Sequence, residues 1–258
     1  MPSLGDIIRN SRVWKSIFRH PLPIDRRNRV KVILTTFVLH LHPVSIRKHA
    51  LALGFTWCMG GVTFFLFLVE TITGVLLMFY YRPTLEWAYH DMLALRDAAS
   101  LGILRELHRW GAHAMVITVM LHMYRVFLTG SYKPPREFNW VLGVILLVLT
   151  LLLSFTGYLL PWDQLAIWAV TVGSNMARAT PFVGHEGPGA SLLTVDGVNM
   201  ITDSSDARFG LLGARFVDEV TLNRFYVLHC VAIPLAAGLL MAIHFWRVRK
   251  DGGISGPS

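Results

Sequence analysis

The chain has 258 residues, of which 53% are hydrophobic and 16% are charged, and its mean hydropathy is +0.49. Soluble domains carry about one-quarter charged residues, so these values exclude an ordinary soluble globule and a disordered chain and indicate a membrane protein. The two cysteines, Cys58 and Cys230, are too few for a disulfide scaffold, and the net charge of +8 follows a membrane topology rather than a nucleic-acid-binding face.

The first 50 residues form a basic segment with ten Lys or Arg and only two acids. Its apolar stretch Val32–Leu41 is too short to span a bilayer, so we predict an interfacial helix that lies on the membrane. A signal peptide is the alternative interpretation. The basic lead is too long for one and no small-residue cleavage site follows it, which favours the surface segment.

Four apolar segments, named A to D, are each long enough to cross a bilayer as a helix, which takes about 20 residues. The apolar runs are continuous rather than alternating, so helices are predicted and strands are not. The predicted fold is an all-α membrane protein whose four-helix transmembrane bundle occupies residues 51–250, before a tail at 251–258. The segments run roughly over Phe55–Tyr81 (A), Trp110–Leu128 (B), Trp140–Leu160 (C) and Phe225–Trp246 (D).

The charge distribution predicts how the segments are oriented. Sixteen Lys or Arg and four acids fall on the side of the two termini, against eight and eleven on the other side. Positive residues stay on the cytoplasmic side, so both termini of this integral multi-pass protein are expected there. The connection between C and D, residues 161–224, then faces outward and is expected to be partly folded, because it contains turn-forming runs such as GHEGPG.

Histidines recur at matched spacings in segments B and D. His108 and His122 are 14 residues apart, and His229 and His244 are 15 apart, so each pair returns to within roughly 40–60° of one helix face. Because B and D cross in the same direction, His108 is expected to face His229 and His122 to face His244. Two imidazoles at one depth can fill both axial positions of a haem iron, which predicts two stacked haems.

Other roles for these histidines are weaker but remain open. Histidines near helix ends are also typical of interfacial or packing residues. A zinc site fits less well, because each depth offers two histidines without a cysteine or carboxylate pair. The remaining histidine of segment B, His113, is not expected to be a ligand.

Glycines on the other two segments repeat the histidine spacing. Gly60 and Gly74 on segment A are 14 residues apart, as are Gly143 and Gly157 on segment C. A flat macrocycle against a helix needs the room that glycine gives by lacking a side chain. Small-residue helix packing is the alternative, but it favours spacings of four. We therefore expect these glycines to clear space for the haems.

Arginines at the ends of the segments are candidate partners for haem propionates, which need cations. Each is equally typical of a residue that snorkels to the membrane surface. They are Arg82 and Arg109 at the outer ends, and Arg125 and Arg249 at the inner ends.

Several ordered motifs resemble the N-terminal half of the cytochrome b family, in its b6 branch. The resemblance implies a subunit that carries electrons across the membrane within a quinol:cytochrome c (or plastocyanin) oxidoreductase and so contributes to proton translocation. It covers roughly residues 55–182 and 214–257. The motifs are CMGGVTFFLFLVETITGVLLMFYYRPT, HRWGAHAMVITVMLHMYRVFLTGSYKPPRE, TGYLLPWDQLAIWAV, LNRFYVLH and GISGP.

The resemblance also implies the cofactors. His108 and His229 would hold a b-type haem near the outer, quinol-oxidising side, and His122 and His244 one near the inner, quinone-reducing side. Cys58 falls where b6-type proteins attach an extra haem by a thioether, which implies one covalent c-type haem. The residues alone indicate no such attachment, since there is no C-x-x-C-H motif.

The quinone sites implied by the resemblance lie at both ends of the bundle. The outer quinol pocket would be built partly from the end of segment C and the following loop, and the inner pocket would lie near Arg249 and Lys250. No catalytic residue is implied in this chain alone. The loop residues of the outer pocket are Pro161, Trp162, Asp163 and Gln164.

The implied partners are those of a dimeric quinol oxidoreductase complex. They comprise a subunit-IV-like C-terminal cytochrome b subunit, a Rieske iron–sulfur protein, a c-type cytochrome, quinone and lipid, with no nucleic acid. The expected location is a bacterial plasma membrane, and a thylakoid-type membrane is the alternative. Two other functions remain open: a dihaem membrane anchor, against which the LPWDQ run and Cys58 argue, and a transporter with buried histidines.

The chain departs from the family pattern at several places. Glu70 stands where a neutral glutamine is expected, and its role is not assigned by the resemblance. The connection between C and D carries an insertion near residues 188–210, and an extra glycine at Gly252–Gly253 precedes the final motif.

Overall fold

A computed structural model describes residues 3–17, 24–30, 53–251 and 253. The predicted interfacial helix over Val32–Leu41 lies outside the described residues. Within them, four helices are long and apolar enough to cross a membrane, which confirms the predicted all-α membrane class. These helices are Met59–Met78 (helix A), Ala99–Leu128 (helix B), Glu137–Leu159 (helix C) and Glu219–Lys250 (helix D).

Helix B begins at Ala99 rather than at Trp110, where its apolar segment begins. The added turns contain good helix formers, and their charged residues pair along the helix surface, as Glu106 and Arg109 do at 2.6 Å. The predicted boundary was wrong because hydropathy marks the part of a helix that lies in lipid, whereas hydrogen bonding continues the helix into the polar region.

Helix D is interrupted by a π turn about one-third of the way along it. Glu219–Val227 is α-helical, Leu228–Ala232 is a π turn, and Ile233–Lys250 is α-helical again. Pro234 follows the π turn and has no amide hydrogen to donate to the carbonyl four residues back, which weakens the α pattern here. A π turn takes up one residue more than an α turn, and this one carries His229.

Packing divides the chain into two compact units. The His108 unit comprises Leu66–Ala114 and Thr150–Ala236. The His122 unit comprises Met115–Leu149 together with the described parts of Met1–Phe65 and Ala237–Ser258. Each predicted histidine pair therefore lies within a single unit.

The hydrophobic core of the His108 unit joins the connecting segments to the helix ends. The Tyr81 hydroxyl, just after helix A, donates a hydrogen bond of 2.6 Å to the carbonyl of Leu160, just after helix C. Burial of these apolar side chains fixes the ends of helices A, C and D against one another. The core residues are Tyr81, Ala88, Leu159, Leu160, Trp162, Ala166, Val170, Leu212, Leu222 and Phe225.

The connections contain short elements of their own. The connection between helices C and D holds a small antiparallel hairpin, in which Val195 pairs with Val198 around a turn whose two residues have positive φ. Short helices in the described ranges include Leu4–Asn10, Arg12–Ile17, Leu53–Thr56, Ala88–Asp97, Gln164–Arg178 and Ala207–Leu212, with a 3₁₀ turn at Ala190–Leu192 and strands β1 (Thr194–Val195) and β2 (Val198–Asn199).

Candidate functional site

His108 of helix B and His229 of helix D face each other in the His108 unit. Their ring centroids are 6.2 Å apart and their planes are nearly perpendicular, at 86°. Two metal–nitrogen bonds of about 2 Å each, extended by the radius of each imidazole ring, place two centroids about 6 Å apart. The separation therefore fits two axial ligands of one metal ion.

Hydrogen bonds engage Nδ1 of both rings. Nδ1 of His229 donates to the carbonyl of Leu153 at 3.1 Å and lies 3.2 Å from the hydroxyl of Thr156. Nδ1 of His108 lies 2.9 Å from the hydroxyl of Thr73. Each threonine hydroxyl donates to a carbonyl one turn back on its own helix, so it accepts from the imidazole. A proton on Nδ1 leaves Nε2 free to ligate a metal.

Each of the four predicted glycines lies against a different histidine ring. Real Cβ atoms essentially never come within 3.0 Å of another heavy atom, so the closest of these approaches leaves no room for a side chain. Gly61, by contrast, has no atom of the described residues within 4 Å of the position that a Cβ would take. A Cβ added at the glycine would lie 3.2 Å from His108 (Gly74), 3.2 Å from His122 (Gly60), 2.5 Å from His229 (Gly157) and 3.9 Å from His244 (Gly143).

His122 and His244 line one cavity of about 120 Å³ in the His122 unit. Its walls also include Gly143 and two arginines, Arg125 and Arg136. Guanidinium groups form paired hydrogen bonds with carboxylates, which are the polar groups of a haem. The cavity combines two imidazoles, a glycine and two cations, so its donor set fits a haem. Arg136 is not among the predicted site residues.

Buried charges fix the end of helix D beside this cavity. Arg247 is fully buried and pairs with the Asp251 carboxylate at 3.3 Å. Arg136 donates hydrogen bonds of 3.1 Å to the carbonyls of Asp251 and Gly253. The predicted inner-site residues Arg249 and Lys250 lie on this same turn, where Lys250 contacts the ring of Trp246 at 4.6 Å.

The two outer arginines already have acidic partners. Arg82 holds Asp91 with two side-chain hydrogen bonds of 2.6 and 3.0 Å, and Arg109 pairs with Glu106. The Arg82 hydrogen bonds keep the pKa of Asp91 below its usual value, although burial opposes this. A haem propionate at either arginine would have to share it with these carboxylates. His113 is exposed, and its Nδ1 lies 2.7 Å from the carbonyl of Arg109.

Two of the predicted outer-pocket residues, Trp162 and Asp163, also stabilise the local fold. Trp162 is buried in the core and has a φ of +52°. Asp163 caps the helix Gln164–Arg178 by accepting a 2.8 Å hydrogen bond from the amide of Ala166. Pro161 is half-buried, and Gln164 alone of the four is exposed. Its side chain is the one best placed to contact a ligand from outside.

Cys58 is exposed directly before helix A and has a φ of +50°, which side-chain-bearing residues rarely adopt. Its amide donates a 3.2 Å hydrogen bond to the hydroxyl of Thr56. The thiol lies two residues before Gly60, which faces His122. Cys230 is half-buried in the π turn of helix D, beside His229.

Thr73 and Thr156 are candidate site residues that the sequence analysis does not identify. Each directly precedes a glycine that faces a histidine, at positions 73–74 and 156–157. This repeated Thr-Gly dipeptide on segments A and C was the available signal. The hydroxyl of each threonine is therefore placed to accept a hydrogen bond from the histidine ring that lies against the neighbouring glycine.

Comparison with known proteins assigns the chain to a family. The family described as Cytochrome b/b6/petB matches residues 45–193, which include helices A to C. A solved structure described as a hyperthermophilic respiratory Complex III is similar over 90% of this chain, with 25% sequence identity and a TM-score of 0.64. The chain spans 55% of the length of that matched chain.

Proposed function

Because this chain belongs to the cytochrome b/b6/petB family, we propose that it is an electron-transfer subunit of a quinol oxidoreductase. In this proposal it carries electrons across the membrane from an outer quinol-oxidising side to an inner quinone-reducing side. The observation that carries the proposal is that the rings of His108 and His229 face each other. Both Nδ1 atoms lie within hydrogen-bonding distance of oxygen atoms, and Gly74 and Gly157 leave room beside the rings.

The proposed ligands are the four histidines of helices B and D. His108 and His229 would hold one b-type haem, and His122 and His244 the other. Bound haem supplies a one-electron carrier whose potential depends on its ligands and surroundings. The chain itself contributes neutral imidazoles, apolar helices that exclude water, and cationic groups such as Arg125 for the acidic edge of the cofactor.

The proposed complex follows the family resemblance, and the Complex III neighbour supports it. The partners are a subunit-IV-like cytochrome b subunit, a Rieske iron–sulfur protein and a c-type cytochrome, assembled as a dimer in a bacterial plasma membrane. Quinol would bind near Pro161 and Gln164, and one of its two electrons would go to the iron–sulfur partner. The other electron would cross this chain towards quinone bound near Arg249 and Lys250.

The function can be tested on the purified membrane complex that contains the full chain. Addition of a quinol should reduce the b-type absorption bands with one of its electrons, and a c-type cytochrome with the other, which passes through the iron–sulfur partner. The proposal is contradicted if dithionite reduces the b bands but no quinol does so in the intact complex.

Cys58 is the proposed attachment point of one covalent c-type haem. Cys58→Ala is expected to abolish haem staining of the denatured chain, because the thioether sulfur is gone, and to leave both extractable b haems in place. Cys230→Ala is the matched control and should keep the stain, since that thiol lies in the π turn of helix D. A wild-type chain that does not stain, or a Cys58→Ala chain that still does, would refute the attachment.

A further inference from the structure

A polar side chain of helix C is buried in the wall of the cavity that His122 and His244 line. Asn139 is only 9% exposed and contributes to this wall. Its amide oxygen, Oδ1, is buried and makes no hydrogen bond within the described part of the chain. A buried polar atom without a partner costs free energy, because it has lost its contacts with water and gained none in exchange. A ligand that fills the cavity would supply a partner for this amide.

Asn139 lies one helical turn from Gly143, the glycine that faces His244. A Cβ at Gly143 would lie 3.9 Å from the His244 ring. Four residues return to nearly the same face of a helix and advance about 6 Å along it. Asn139 is therefore offset from the level of the imidazoles, towards the end at which helix C begins. A haem has its iron at the centre and its carboxyl groups at the rim, so a side chain with this offset is placed to meet the rim.

Helix B provides a second hydrogen-bond donor with a similar offset. Arg125 lies three residues past His122, near the end of helix B, and lines the cavity together with Asn139. The connection 129–136 joins this end of helix B to the start of helix C, so both side chains lie on the same side of the imidazoles. A guanidinium group and an amide both present N–H donors, which carboxyl oxygens accept. The cavity thus offers two donors to the acidic edge of a haem.

The His108 unit has no amide side chain at the corresponding place. There the residue four positions past Gly157, beyond the other end of helix C, is Pro161, whose side chain has no donor or acceptor. Asn139 itself belongs to the His122 unit. A change at Asn139 should therefore affect one of the two proposed haems and leave the other as it is.

We propose that Asn139 binds the haem held by His122 and His244, by donating a hydrogen bond from its side-chain amide to a carboxyl group of the cofactor. The inference rests on the proposed function, because it assumes that these histidines ligate a haem. Half a turn of the amide exchanges Nδ2 and Oδ1, so its N–H donors can face the cavity. Two axial ligands fix the iron but not the rotation of the macrocycle about the axis between them. A hydrogen bond at the rim fixes that rotation.

An Asn139→Leu variant of the purified complex with the full chain tests this contact. Leucine has a similar volume but offers no donor. The propionate bending band of the resonance Raman spectrum responds to hydrogen bonds at the haem carboxyl groups, and it should shift for one of the two b haems. Transfer of that haem to excess apomyoglobin should become roughly 10-fold faster, because a hydrogen bond to a charged group is lost. The other haem should leave at the wild-type rate.

Two further variants assign the effect to one haem and separate it from a general loss of stability. In a chain that also carries His229→Leu, and so should retain only the haem near Asn139, Asn139→Leu should produce the same shift. Thr63→Val removes a hydroxyl that donates to the carbonyl of Met59 at 2.8 Å in the same unit. Thr63 does not line the cavity, so Thr63→Val should change neither the band nor the rate.

The outcomes separate this contact from the proposed function. A wild-type complex without b haem would contradict the proposed function itself. With both haems present, an unmoved propionate band in Asn139→Leu would overturn this inference alone, even if haem left faster or quinone were reduced more slowly, because Asn139 would then serve packing or the quinone site. If Asn139→Leu loses one haem outright, Asn139→Gln, which keeps the N–H donors, should retain both. A loss of the same haem in Asn139→Gln would also overturn the inference.

Discussion

A His229→Leu variant is expected to lose one of two b haems while keeping the other. Leucine fills a similar apolar volume but offers no atom that can bind a metal, and His108 would be left without its facing partner. His122 and His244 belong to the other unit of the chain and should be unaffected. The pyridine haemochrome of the extract from the purified complex should fall from two b haems per chain to one.

The controls for this result are two other histidine variants. His244→Leu should also reduce the count to one, but the haem that it removes should be the one proposed at His122 and His244. His113→Leu should keep both haems, because His113 is exposed and bonded to its own helix at the Arg109 carbonyl. A His229→Leu complex that retains two haems with an unchanged spectrum would rule out this ligand pair.

Gly157→Ala is expected to disrupt the same haem without removing a ligand. The added Cβ would lie 2.5 Å from Cε1 of His229, which is closer than real Cβ atoms come. The ring cannot retreat easily, because its Nδ1 is bonded to Leu153 and Thr156 on the same helix C. Overpacking of this kind costs about 1–3 kcal/mol, which corresponds to roughly 5- to 150-fold weaker haem retention.

Two alanine variants separate this steric effect from a general loss of stability. Gly238→Ala on helix D meets open space, so haem content should match the wild type. Gly143→Ala should have a small effect on the other haem, since its Cβ would be 3.9 Å from His244. Retention of both haems at wild-type affinity in Gly157→Ala would show that the glycine is not needed for clearance.

Patterns within one helix were predictable from the sequence. The four spans follow from continuous apolar runs, and the facing of His108 with His229 follows from equal depth on parallel helices. The glycine spacing on segments A and C also identifies four positions that lie against histidine rings, and at Gly157, where a Cβ would lie 2.5 Å from His229, there is no room for a side chain. Each of these features depends on helix periodicity and length, which can be read directly from the pattern of residues in the sequence.

Contacts that no repeated spacing in the sequence indicates could not be predicted. Gly111 faces Glu70 across two helices, and Arg136 bonds the carbonyls of Asp251 and Gly253 at the end of helix D. Nothing in the local sequence of Gly111 or Arg136 identifies these partners. Such pairs depend on how the helices pack, and that packing cannot be read from a single sequence.

The remaining differences between prediction and structure at the outer ends arise because neighbouring groups already bind the predicted site residues. Arg82 is a predicted propionate partner, yet Asp91 lies near it in sequence and holds it in a salt bridge. Asp163 is a predicted quinol-pocket residue, yet an acid directly before a helix is a preferred cap, and Asp163 caps Gln164–Arg178. On helix D, the offset of the histidines was calculated for a uniform α-helix, whereas the π turn Leu228–Ala232 takes up an extra residue.

The most direct measurement of the central claim is the b haem content of the intact, wild-type complex, quantified per copy of this chain after acid extraction. Four histidines arranged as two facing pairs predict two extractable b haems. A well-folded complex with fewer than two extractable b haems per chain would contradict the account, because at least one histidine pair would then serve only the packing of helices B and D.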